Sequence, residues 1–84
     1  PYCAPNLPSQ YAVWSSWSQM SQTPKSLRSV MIANGDEAKK IWLTEMGMPT
    51  RGAPYRTSES IQAAALSDAA RLLRSYSWAG PMFW

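Results

Sequence analysis

The sequence predicts an α/β chain in which two strands lie parallel. Ile41-Trp42-Leu43-Thr44 is a short run of bulky and β-branched residues bounded by turn signals. That is the pattern of a strand buried on both faces of a parallel sheet. Residues 58–77 carry the clearest helical period, with Ile61, Ala65, Ala69, Leu72, Leu73 and Tyr76 at three- and four-residue steps. After Gly80-Pro81, a second apolar run opens at Met82-Phe83-Trp84. Strand, capped helix and strand in that order form a βαβ unit, which joins parallel strands through a right-handed crossover.

The elements follow in order. Residues 1–23 hold three prolines and many Ser and Gln, and show no sustained period. They predict a loop passing into an irregular or short helical segment around Tyr11 to Met20. A helix is expected over 24–34, with Thr23 as cap, Pro24 in the first position and Gly35 as the stop. Its apolar stripe is Leu27, Val30, Met31 and Asn34, with Lys25 and Arg28 outside it. The first strand is expected over 40–45. Residues 46–57, with two glycines and two prolines, predict a long loop. The second helix, 58–77, has Ser58 as cap, Glu59 in its first turn, and Arg71 and Arg74 near its end. Asp68 is assigned with those arginines to its outer side. A second strand is expected over 81–84.

Composition narrows the function classes. The chain has 84 residues, 45% apolar and 15% charged, so it is neither disordered nor fibrous in type. No apolar run approaches the roughly 20 residues of a membrane span, and no basic-then-apolar leader is visible. One cysteine, Cys3, excludes an internal disulfide framework. The absence of histidine removes Cys/His zinc sites and His-based triads, and nothing in the chain calls for a metal or cofactor. The basic residues are spread in pairs, and acidic residues interrupt every candidate stripe for nucleic acid. Five tryptophans are the unusual feature. Such indoles serve as core bulk or as platforms for flat apolar ligand faces, sugar rings among them.

Two short parallel strands cannot cover their own edges and faces. The chain is therefore expected to be a segment of a larger α/β protein, the rest of which covers those edges. The alternative is a small domain that hides its edges by self-association.

One residue stands out for chemistry. Glu45 follows the strand directly, at the carboxyl end where active sites of parallel α/β folds gather. Its structural alternative is a loop cap, or an ion pair with Arg51 or Arg56. The surrounding motif adds to this. Ile-Trp-Leu-Thr-Glu-Met-Gly-Met-Pro-Thr, residues 41–50, resembles the seventh strand of retaining glycoside hydrolases of clan A. Those enzymes have the (β/α)8 barrel, and the Glu of Trp-x-Thr-Glu-x-Gly is their nucleophile. Ser58-Glu59-Ser60-Ile61-Gln62-Ala63 is similar to the opening of the following helix, and Gly80-Pro81-Met82-Phe83-Trp84 to the eighth strand. Pro1-Tyr2 is similar to the end of a His-Pro-Tyr motif closing the sixth strand. The likeness is nearest to cellulase-like and family 39-like members. It spans most of this chain but only about the last third of a roughly 250-residue barrel.

The resemblance implies roles residue by residue. Glu45 matches the nucleophile, which attacks the anomeric carbon and forms a glycosyl-enzyme. Tyr2 matches an aromatic that hydrogen-bonds that nucleophile, its alternative being a buried ring. Trp84 matches a tryptophan that floors the sugar, its alternative being core packing. Trp42 is expected in barrel core or helix packing. Trp14 and Trp17 are expected in packing, though they could flank a sugar subsite. Met46 and Met48 have no functional account. A retaining mechanism needs a second carboxyl about 5–5.5 Å away. In the family that Glu follows an Asn on the fourth strand, and no Asn-Glu pair occurs here. The implied function is a hydrolase segment that supplies the nucleophile toward a polysaccharide or glycoside, with the acid/base residue missing. The competing class is a non-catalytic fragment that binds carbohydrate or protein.

Overall fold

The structure is a computed structural model, and it describes residues 7–51 and 57–84. In chain order it runs α1 (Ser16–Ser21), α2 (Leu27–Ala33), β1 (Ile41–Leu43), α3 (Glu59–Ser75) and β2 (Ala79–Met82). The fold is α/β. Its sheet has two strands, and β1 pairs with β2 in parallel, with Ile41 opposite Ala79 and Leu43 opposite Met82. One register irregularity lies between those pairs. Ile41 N–H donates to the Trp78 carbonyl at 3.0 Å and Phe83 N–H donates to the Leu43 carbonyl at 2.9 Å. These two bonds tie the strands at both ends.

Local chemistry explains most boundaries. The Ser58 hydroxyl accepts the Ile61 N–H at 3.1 Å, so one otherwise unpaired donor of the α3 amino end is satisfied. Glu59 stands in the first turn of α3 and Arg74 in the last, each favoured there by the helix dipole. Gly35 ends α2 with φ +80°, the left-handed region. Its N–H donates to the Ile32 carbonyl, and the Asp36 N–H to the Met31 carbonyl. That pair of bonds is a Schellman ending, and it needs a residue that tolerates positive φ.

The start of α2 differs from expectation. Ser26, not Thr23, is the cap: its hydroxyl accepts the Ser29 N–H at 3.1 Å. Thr23 instead closes α1, donating its N–H to the Ser18 carbonyl, and Pro24 lies in the turn that follows. Proline after a helix end is as natural as proline at a helix start, so Pro24 alone could not decide between them. The segment 1–23 does contain the short helix, α1. The strand β2 runs over Ala79–Met82 rather than 81–84, and β1 over Ile41–Leu43 rather than 40–45. The helix 58–77 is shorter by its cap and its last two positions.

The core lies between the sheet and the helices. Trp17, Met20, Leu43, Met46, Met48, Ala65, Ala69 and Leu73 form one buried cluster, edged by Leu7, Ile41, Leu72, Tyr76, Trp78, Ala79 and Met82. Trp17 therefore packs, and Met46 and Met48 fill the space beneath the turn after β1. Methionine suits such an irregular gap because its unbranched chain has three rotatable bonds. The α3 stripe packs as its spacing indicates through Ala65, Ala69 and Leu73, but Ile61 at its open end is exposed.

Three sequence expectations are corrected by burial. Trp14, expected in packing, is half-exposed. β1 is covered on one side only: Leu43 is 4% exposed while Trp42 is 60% exposed, so Trp42 is not core. No residue of α2 is buried, and Leu27, Val30 and Ile32 stand open. A stripe of apolar residues predicts a helix whether or not something lies against it.

Candidate functional site

Glu45 stands two residues beyond β1, on the carboxyl side of the parallel pair. It is exposed, and among the described residues its carboxylate makes no hydrogen bond or ion pair. The ion pairs found there are Lys39–Asp36 and Arg71–Asp68, so Arg51 is not its partner, and Arg56 lies outside the described residues. Glu45 lines a cleft of about 430 Å³ between α1, α2 and β1. Buried Met20 and Leu43 form the floor of this cleft, and exposed Leu27 and Trp42 stand at its sides. Gln19 and Thr44 add polar groups. The cleft is broad and open to solvent, and its lining is mostly apolar.

The loop after β1 is held in place by backbone carbonyls. Gln62, from the first turns of α3, donates its side-chain N–H to the Met48 carbonyl at 2.8 Å. Thr57 closes the loop by donating its N–H (2.7 Å) and its hydroxyl (3.1 Å) to the Pro49 carbonyl. With Met46 and Met48 anchored in the core, the position of Glu45 is set from both sides.

The other two site residues fall differently. Trp84 follows β2 at the same end of the sheet and is half-exposed, but it does not line the cleft that holds Glu45. Tyr2 lies outside the described residues. Glu59, at the start of α3, has no side-chain contact with Glu45 among the bonds found. Among the described residues no three His, Cys, Asp or Glu side chains converge as a metal site requires.

At the amino end of the sheet is an aromatic and cationic stack. Tyr76 and Trp78 lie face to face at 4.4 Å, and the Arg28 guanidinium sits 5.6 Å from the Trp78 ring centre. Arg28 also donates to the Glu37 carbonyl at 2.8 Å and to the Lys39 carbonyl at 3.3 Å, pinning the α2–β1 turn. This stack lies at the opposite end of β1 from Glu45.

A buried carboxylate escaped the sequence reading. Asp68 is 5% exposed, and it accepts the Ser9 N–H (2.7 Å), the Ser9 hydroxyl (2.9 Å) and an Arg71 N–H (3.1 Å). Burial alone would raise its pKa, but the Ser9 donors and Arg71 outweigh burial and hold it below the ordinary carboxylate value. The signal was present in the spacing: position 68 lies three after Ala65 and four before Leu72, inside the apolar stripe.

Comparison with family models, with curated proteins and with solved structures finds no match to this chain.

Proposed function

We propose that this chain is part of a retaining glycoside hydrolase with a (β/α)8 barrel, and that Glu45 is the nucleophile. The observation that supports this best is a single exposed carboxylate just beyond the carboxyl end of a parallel strand, lining a cleft. β1, α3 and β2 correspond in this reading to strand seven, its helix and strand eight. Glu45 attacks the anomeric carbon, the leaving oxygen departs on the opposite face, and water later hydrolyses the glycosyl ester. Tyr2 and Trp84 orient the nucleophile and the sugar. The acid/base carboxyl is supplied by an element other than those described, so the 84-residue chain does not turn over ordinary glycosides.

The test uses substrates that need no acid. Dinitrophenyl 2-deoxy-2-fluoro-glucoside and the matching xyloside and cellobioside carry leaving groups that depart unaided. Incubation of the chain with each is expected to leave a fluoroglycosyl ester on Glu45, located by peptide mass spectrometry and absent in Glu45→Gln. An ester on a different carboxylate, or equal release of dinitrophenol by the Gln variant, overturns the assignment.

A second reading is supported by the exposed indoles of Trp14, Trp42 and Trp84. In it the chain is a binding fragment for carbohydrate or protein, and Glu45→Gln leaves its binding unchanged.

A further inference from the structure

The cleft beside β1 that holds Glu45 has a lining that also suits a ligand other than a sugar. Its apolar lining is Met20, Leu27, Ile41, Trp42 and Leu43, with Ser16, Gln19 and Thr44 as neutral polar groups. Among the described residues Glu45 is the one charged residue that lines it. The chain as a whole has a net charge of +3. Among the described residues no cation lies within ion-pair distance of the Glu45 carboxylate. Asp36 and Asp68, by contrast, are each paired. Trp42 is a lining residue of the same cleft. Its indole lies against Gly80, where an added Cβ would come within 2.6 Å of Nε1.

An apolar trough with one unpaired carboxylate and one indole complements a ligand that joins an alkyl body to a positive head. The alkyl body removes apolar surface from water on both sides. The head gains a charge-assisted contact with the carboxylate and the attraction of a cation for the indole ring. A second basic chain segment is poorly matched, since about 430 Å³ is the space of a small molecule. We propose that this cleft binds small amphiphilic organic cations, of which an aliphatic ammonium is the simplest. The proposal stands whether or not Glu45 is a nucleophile.

Hexylammonium and hexanol, which have the same body and differ in the charge of the head, are the probes. Each is titrated into the 84-residue chain at pH 7 and followed by heteronuclear NMR. Hexylammonium is expected to bind saturably, with shifts at the Trp42 indole N–H and at the Leu27 and Met20 methyls. Its affinity is expected to exceed that of hexanol by about tenfold in low salt, and the preference to shrink as salt is raised. Glu45→Gln is expected to bring the two probes within about twofold of each other while the alcohol's affinity stays unchanged. Leu27→Ser is expected to weaken both. Circular dichroism of each variant checks that the fold is kept. Equal binding of the two probes by the unaltered chain overturns the proposal, as does saturation of shifts at residues away from the cleft. A preference that survives in Glu45→Gln overturns the role given to the carboxylate. None of these outcomes bears on the ester assay above, so the two readings fail separately.

Discussion

The Asp68 carboxylate reaches across 59 residues of sequence to hold Ser9, accepting its backbone N–H at 2.7 Å and its hydroxyl at 2.9 Å. This bond pair fastens the segment before α1 to the middle of α3. Asp68→Ala leaves the Ser9 N–H without its partner and removes an Arg71 contact. Loss of hydrogen bonds to a buried charged group typically costs about 2–3 kcal/mol. Urea unfolding should show a midpoint lowered accordingly, with an unchanged slope.

The same carboxylate gives a pH signature. Its pKa is lowered in the folded chain, so its contribution to stability is present above the unfolded value of about 3.9. That contribution is lost as the pH falls through the lower folded value. The unaltered chain should therefore lose stability steeply below about pH 4, and Asp68→Asn should lose it less steeply. Parallel urea titrations between pH 7 and pH 2 make the comparison.

Gly80 and Trp42 form a close cross-strand contact. A methyl at position 80 would overlap the Trp42 ring, coming within 2.6 Å of Nε1. Gly80→Ala is expected to destabilise by about 1–3 kcal/mol, the usual range for overpacking. Because Trp42 is exposed and can be truncated cheaply, Trp42→Ala should relieve most of that loss. A double-mutant cycle in urea would show a coupling near the size of the single effect. Strict additivity would mean that the ring is not what limits position 80.

Gly35 ends α2 at φ +80°, with nothing within 4 Å of an added Cβ. Gly35→Ala therefore meets no neighbour and carries only the backbone strain, about 1–2 kcal/mol. Thermal unfolding of the variant, followed by far-ultraviolet circular dichroism, should show a lower midpoint without loss of folded signal.

Glu45→Gln tests site and scaffold together. Glu45 is exposed and makes no hydrogen bond among the described residues, so the change should alter stability by less than about 0.5 kcal/mol. Loss of ester formation with stability intact would separate chemistry from folding. A large drop in stability would show instead that the carboxylate has a structural partner.

The sequence by itself determined the order strand–helix–strand, the parallel pairing that this order implies, the Ser58 cap and the stop at Gly35. Each depends on neighbours a few residues away, through hydrogen-bond donors at a helix end or the φ that a side chain permits. It also marked Glu45 as lying just past a strand, since that needs only the strand. Tertiary structure decided burial. Trp42 reads as core because indoles usually are, yet it is exposed because nothing described covers that face of β1. Asp68 reads as surface because carboxylates usually are, yet Ser9, 59 residues away, supplies the donors that make its burial possible. The cleft itself arises only where α1, α2 and β1 meet, and no local pattern shows which residues three separate segments will bring together.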